Sequence, residues 1–243
     1  MASTSSESPE AKSNKASKQA ARRSEFEPEA LERPITLAEA AYESVATSLM
    51  EGGYVPGDRL VARALAAQLG VSLTPAREAV LRLVSEGALE LRNPRTIVVP
   101  TLSPQQFKEI YCIRHALEPT AARIAATQLT GEDVKALERL LERMTGHYAR
   151  GDYRQAFRSN REFLFRIYAA AGMPLVLSFI QAAWLRVGPT FRLLYPTLAV
   201  PEDALRIRAE AISAIKAQDA VGLSTAIEKD LLRGEALLSR LIL

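Results

Sequence analysis

The sequence predicts a mainly α protein in two parts. Three short helices with a small β-hairpin come first, and about six longer helices follow as an antiparallel bundle. Three observations lead there. Apolar residues recur at three- and four-residue spacing along most of the chain. Several helix starts are marked by a capping residue followed by proline. Paired β-prone runs flanking turn residues occur once, between residues 88 and 99.

Composition removes whole classes. The 243 residues carry 31 Lys and Arg against 28 Asp and Glu, a net charge of +3, with 48% hydrophobic residues, one Cys and two His. That is enough apolar material for one large or two ordinary domains. Cys112 alone makes no internal disulfide and fits a reducing compartment. One cysteine and two histidines cannot furnish the ligand set of a zinc finger. The longest uncharged stretch, about 169–185, is broken by Gly172 and Pro174, short of the ~18 to 20 apolar residues of a membrane span. The first residues have no apolar core of the signal-peptide kind. The expectation is a soluble, cytoplasmic protein with no membrane partner. A charge of +3 is too small to argue for nucleic acid by itself, so a motif has to carry any such claim.

Residues 1–34 are Ser-, Ala-, Lys- and Glu-rich with almost nothing apolar to bury, and read as a disordered tail. Its block of Lys12, Lys15, Lys18, Arg22 and Arg23 either solubilises the chain or touches phosphates beside a docked domain. After Pro34 and Thr36, the spacing of Leu37, Ala41, Val45, Ala46 and Leu49 predicts a helix that stops in the turn residues Gly52, Gly53, Pro56 and Gly57. A second helix runs from about Val61 to Leu69 and stops at Gly70, where a left-handed residue costs little. Thr74-Pro75 reads as an N-cap with proline at the first helical position, opening a third helix that runs to about Glu86.

At about 100° per residue, Ala76, Ala79, Val80, Leu83 and Val84 share one face of that helix; Arg77, Glu78, Leu81, Arg82 and Ser85 occupy the rest. The runs 88–91 and 96–99 flank Arg92-Asn93-Pro94-Arg95 as a hairpin with a basic tip. Helix, helix, tight turn, helix, hairpin is the order of a winged helix-turn-helix, spanning 35–100. The remainder, 101–243, reads as helical throughout, with segments at 104–127, 131–149, 152–170, 174–194, 202–217 and 219–241. Their ends rest on Ser103-Pro104, Thr130 with Asp133, Gly151-Asp152, Gly172 with Pro174, Pro196 to Pro201, and Asp219. A bundle of that size encloses a cavity between its helices, where bundles place ligands.

Four blocks in register then carry a family resemblance: Pro56-Gly57-x-Arg59-Leu60, Leu65-Ala66-x-x-Leu69-Gly70-Val71-Ser72, Thr74-Pro75-x-Arg77-Glu78-Ala79 and Arg82-Leu83-x-x-Glu86-Gly87. They resemble the DNA-binding domain of the GntR family of bacterial transcription regulators. Ile110-Tyr111-x-x-Arg114-x-x-Leu117-Glu118-Pro119 with Ala121-Ala122-Arg123-x-Ala125-Ala126 resembles the opening helix of the FCD effector domain of its FadR subfamily. The resemblance implies that Arg63, Ser72, Thr74 and Arg77 contact DNA, Arg77 at a base or at a phosphate. Arg92 and Arg95 at the hairpin tip would lie against the minor groove or its phosphates. Arg82, on the other flank of the helix, reads as an intradomain salt-bridge residue. Two departures stand out. Leu73 occupies a position where the family usually has an arginine that contacts DNA, which alters operator preference. Thr96 follows Arg95 where the family commonly has glycine.

Many FCD domains hold a metal with one Asp and three His, and the metal binds a carboxylate effector. In this chain those positions fall on Asn160, Leu164, Arg208 and Asp230. Leucine has no lone pair and arginine does not deprotonate, so the residues predict no metal and no cofactor. His115 and His147 are no substitute and read as surface or outer residues. Arg114 matches the family's ligand-contacting arginine. Arg208 then either joins Arg114 in binding a small carboxylate effector directly or pairs with Asp230, with Glu210 as the inward residue if the register slips by a turn. Asn160 would orient a polar effector. Trp184, Phe157, Phe163, Tyr168 and Phe191 read as core. The whole predicts a homodimeric regulator, a repressor of a metabolic operon rather than an enzyme, that reads an inverted repeat in double-stranded DNA and answers to a small organic acid. The alternative is a constitutive DNA-binding scaffold whose bundle only dimerises. A bundle enzyme is disfavoured, because no nucleophile with a base and no Gly-rich phosphate loop is present.

Overall fold

A computed structural model describes residues 36–93, 96–197 and 202–242. The tail, 1–34, and Arg95 lie outside the described residues.

Helix α1 (Leu37–Met50) starts at Thr36, whose hydroxyl accepts from the Glu39 amide at 3.1 Å. Ala41, Val45, Ala46 and Leu49 are buried as their spacing predicts, but Leu37 is 62% exposed. The burial of α1 begins at Ala41, a turn later. Strand β1 (Arg59–Leu60) was not expected; two residues are too few to show an alternation. Helix α2 (Ala62–Leu69) ends on Gly70 at φ 65°, the left-handed cap that its glycine allows. Helix α3 (Leu73–Ser85) begins one residue before Thr74, with Ser72 as its N-cap. The reading of Thr74 as cap and Pro75 as first helical residue is therefore corrected. Pro75 falls at the third position, still in the first turn, where its missing N–H has no intrahelical acceptor to lose.

Strands β2 (Glu90–Asn93) and β3 (Thr96–Val98) form the hairpin, two residues later on its first arm than predicted, because Ala88 and Leu89 are buried in the turn that leaves α3. β3 lies in the middle of a three-stranded antiparallel sheet, pairing Val98 with Arg59 on one side and with Glu90 on the other.

Six helices and a 3₁₀ turn follow among the described residues: α4 (Pro104–Ala125), α5 (Gly131–Ala149), α6 (Tyr153–Ala170), α7 (Pro174–Phe191), the turn Arg192–Thr197, α8 (Glu202–Lys216) and α9 (Ala220–Ile242). Ser103 with Gln106, and Thr130 with Asp133, form reciprocal capping boxes. The predicted 174–194 helix changes to 3₁₀ geometry after Phe191, where Pro196 disfavours further α backbone. α4 packs against α6, α7 and α9 through one buried face that carries Arg114 and Glu118, and keeps its other face exposed.

The winged part and the bundle meet where α1 packs on α7. A Cβ on Gly188 would stand 2.5 Å from the Leu49 carbonyl oxygen and 2.6 Å from the Met50 Cα, so only glycine lets the two backbones approach this closely. Gly188→Ala sets a helix-propensity gain of about 0.5–1 kcal/mol against a clash with backbone, for which overpacking costs about 1–3 kcal/mol. The clash wins, and the melting temperature should fall. Gly131→Ala, with nothing within 4 Å of the added carbon, should leave it unchanged or raise it. Thermal unfolding of the two variants side by side checks both signs.

Candidate functional site

Two regions collect the residues that the sequence singles out. The first is the outward side of α3. Ala76, Ala79, Val80 and Leu83 point into the core, which leaves Ser72, Leu73, Thr74, Arg77 and Glu78 exposed along the start of the helix. The Ser72 side chain makes no capping hydrogen bond. The first-turn amides, which have no partner within a helix, therefore present partial positive charge at the outward tip. Arg63 on α2 is also exposed. Arg82 behaves differently: its Nε donates to Glu86 at 3.0 Å and its guanidinium lies 3.8 Å from the Tyr42 ring centre, while the Tyr42 hydroxyl donates to the same Glu86 at 2.6 Å. It ties α3 to α1, as its position on the other flank predicts. Arg92 is exposed on β2 near the hairpin tip.

The second region is the bundle interior. Arg114 and Glu118, one turn apart on α4, are both buried, with Nε to Oε1 at 2.7 Å and Nη2 to Oε2 at 3.4 Å. Glu118 also accepts from the Tyr168 hydroxyl at 2.6 Å and from the Trp184 indole at 2.9 Å. The Arg114 guanidinium lies 4.7 Å from the Trp184 ring centre and 4.9 Å from that of Tyr111. Burial opposes the charge on Arg114, but the neighbouring Glu118 carboxylate more than restores it and raises the pKa above the ordinary guanidinium value. Glu118 was not singled out as a functional residue. Its signal was the four-residue spacing from Arg114 on one helix face.

Deeper towards α8 and α9, Arg208 is 1% exposed. Its Nε and Nη2 donate to Asn160 Oδ1 at 3.0 and 2.7 Å, and Nη2 donates to Asp230 Oδ2 at 2.6 Å. Its Nη1 is buried without a hydrogen-bond partner. Arg208 is the inward residue of α8, whereas Glu210 sits at the surface with Arg206 and Lys229. Arg114, Asn160, Arg208 and Asp230 all line one cavity of about 60 Å³, closed in by Tyr148, Phe157, Trp184 and Phe191 and bordered by Arg233 and Gly234 on α9. It has room for only a few waters. A larger hollow of about 800 Å³ between α5 and α6 is open to solvent. Three of its four arginines, Arg143, Arg161 and Arg166, already pair with Glu162, Glu51 and Asp133.

The donor set does not suit the metal that many FCD domains hold. Leu164 offers no lone pair, Arg208 brings a permanent positive charge, and that charge already engages Asn160 Oδ1 and Asp230 Oδ2. A divalent ion here would face a fixed cation. His115 pairs instead with Glu235 at 2.9 Å, and His147 lies 3.6 Å from Asp152.

Two contacts connect this cavity to α1. Asn160 holds Arg208, and the next residue, Arg161, pairs with Glu51 at 3.1 Å, just past the end of α1. Trp184 walls the cavity, and Gly188, one turn on, receives Leu49 and Met50. Neither link was readable beforehand, since each pairs positions more than a hundred residues apart.

Burial pushes the Tyr111 and Tyr148 phenols up to about 12 and, joined by Glu118, holds Tyr168 well above its usual value. Unfolded tyrosines ionise near pH 10. Above that the unfolded state binds fewer protons than the folded one, so stability is full below about pH 10 and falls as pH rises towards 12. Tyrosine absorbance followed against pH should show these groups ionising together with loss of helix. Glu118→Gln leaves Arg114 buried without its counter-charge, at a cost of about 3–5 kcal/mol. Calorimetry should show a melting temperature lower by on the order of 10 °C.

Comparison with known proteins follows the same division. The profile of the FCD domain matches residues 109–233, and that described as bacterial regulatory proteins, gntR family, matches residues 37–99. The chain is 38% identical over 175 residues to the HTH-type transcriptional regulator McbR of Escherichia coli (strain K12), covering 70% of this chain and 78% of that protein. The solved structure of E. coli McbR/YncC superposes with a TM-score of 0.81 at 32% identity, over 86% of this chain and 99% of that one. A putative transcriptional regulator GntR from Rhodococcus sp. RHA1 shares the fold, with a TM-score of 0.67 at 18% identity over 83% and 96% of the two chains.

Proposed function

The chain belongs to the GntR family of transcription regulators and carries an FCD effector domain, and from that premise we propose a dimeric, cytoplasmic repressor of a metabolic operon that answers to a small organic acid bound without a metal. It is a DNA-binding protein rather than an enzyme. The division we propose is a tail at 1–34, a DNA-binding domain at 35–100 and an effector and dimerisation domain at 101–243. No helix among the described residues is long and apolar enough to cross a membrane.

DNA reading rests on the outward start of α3. Thr74 and Arg77 sit on the first turns of a helix whose tip carries uncapped amides, which favours phosphate and places a bidentate donor at base edges. Arg63 and Ser72 flank it, and Arg92 with Arg95 serves the adjacent groove or its phosphates. Two copies require a two-fold operator.

Effector binding rests on one observation: Arg208, fixed by Asn160 and Asp230 at the cavity, keeps a buried N–H without a partner. Both earlier alternatives meet in this residue, for it pairs with Asp230 and still has donor capacity. Across the cavity Arg114 is neutralised by Glu118 and Arg208 by Asp230, while Arg233 at its border adds a further positive charge. That balance suits a single carboxylate. The cavity is small beside the roughly 300 Å³ and upward of most ligand sites, so occupation widens it. Asn160 with Arg161 and Trp184 with Gly188 pass that widening to α1, shifting operator affinity by a coupling of about 1–3 kcal/mol.

Arg77→Ala should abolish preference for the operator over random duplex while leaving the melting temperature unchanged, as competition binding will show. A panel of small carboxylic acids, titrated with excess chelator present, should include one that raises the melting temperature and changes operator retention; Arg208→Gln should lose both responses and keep operator binding. If no acid shifts either quantity, the constitutive scaffold is the correct reading.

A further inference from the structure

Leu73 is the first residue of α3 and is 46% exposed, between Ser72 and Thr74 and one turn ahead of Arg77, all three also exposed. It does not belong to the hydrophobic core or to the residues packed against it. A large apolar side chain left nearly half exposed at the tip of a helix is not explained by the core, and its neighbours are the very residues assigned to the duplex. Leu81, 44% exposed, continues the line from Leu73 through Arg77 at four-residue spacing.

An arginine at position 73 would donate to a guanine or to a phosphate. Leucine has no polar side-chain atom, so both contacts are closed to it. In the major groove the group that a duplex offers to an apolar side chain is the C5 methyl of thymine. We propose that Leu73 is a specificity-determining residue that reads thymine: its side chain packs on the C5 methyl of one T·A pair in each half-site, at the base step reached by the start of α3. Two features of the site support direct contact. The residue stands at N1, the end of a reading helix that approaches closest to base edges. Its flanking hydroxyls, Ser72 and Thr74, are of the type that serves phosphates or bases on either side. The inference rests on the reading that α3 enters the major groove.

The test uses the full chain. Duplexes are first selected from a random pool, and each thymine of the selected operator is then replaced by deoxyuridine, which removes the methyl and leaves the pairing unchanged. Binding is measured by fluorescence anisotropy for the natural sequence, Leu73→Ala and Leu73→Arg. One thymine per half-site should be sensitive, with uracil weakening binding about fourfold, the worth of one buried methyl. Leu73→Ala should bind the thymine and uracil duplexes equally. Leu73→Arg, carried through its own selection, should shift the preferred base at that position to guanine. Replacing that T·A pair with 5-methylcytosine·guanine should retain more affinity than replacing it with unmethylated cytosine·guanine.

A uracil scan without effect on a selected operator overturns the role of Leu73 while leaving DNA reading intact. Equal uracil sensitivity in Leu73→Ala overturns it too, since another group would then read the methyl. A pool that returns no preferred sequence overturns the assignment of α3 to the groove and this inference with it.

Discussion

The close approach of α1 to α7 is the constraint on which the rest of the molecule depends. Gly188 removes the side chain that would hold the two backbones apart, and the Leu49 carbonyl and Met50 Cα occupy the space it leaves. Beside that contact the Arg161 to Glu51 ion pair, with Glu51 side-chain exposure of only 7%, closes the same junction from α6. α1 in turn packs on α3, and Arg82 with Tyr42 and Glu86 ties the two helices together. The orientation of the proposed reading helix is therefore transmitted through α1 to two helices that also wall the cavity. In the proposed mechanism, a rigid seat of this kind is the route by which a displacement of α6 or α7 would move α3, because close-packed interfaces shift as units instead of deforming.

Inside the bundle, charge has taken a structural role. Taking Arg114 and Glu118 out of water is costly, and their mutual contact offsets that cost only because the remaining Glu118 lone pairs are filled by Tyr168 and Trp184. The consequence is specificity of arrangement: three helices, α4, α6 and α7, are pinned to one carboxylate. The Arg208, Asn160 and Asp230 cluster does the same for α6, α8 and α9. Where relatives of the FCD type gather histidines around an ion, this chain has a guanidinium among an amide and a carboxylate.

The helices were legible in the sequence to within a few residues because apolar periodicity and caps act locally. Ser103-Pro104 and Thr130 with Asp133 mark their helix starts wherever the chain goes, and the buried stripe of α3 follows from the 3.6-residue repeat alone. The structure departs from the local pattern at three places. β1 exists because β3 offers it an edge, Leu37 is bare because the burial of α1 starts a turn later, and α3 starts at Leu73 although Thr74-Pro75 has the composition of a helix start.

The candidate sites divide along the same line. Composition and motif alone determined that leucine stands at position 73, at the start of the proposed reading helix, and that Asn160, Leu164, Arg208 and Asp230 stand where many FCD domains place metal ligands, since both are statements about which chemical groups are present. Whether Arg208 faces inward, which carboxylate holds Arg114, and how residues 160–161 and 184–188 reach the end of α1 were settled only by packing. Those facts depend on helices remote in sequence meeting at particular rotations, and a rotation of one helix about its axis leaves every local pattern in the chain unchanged.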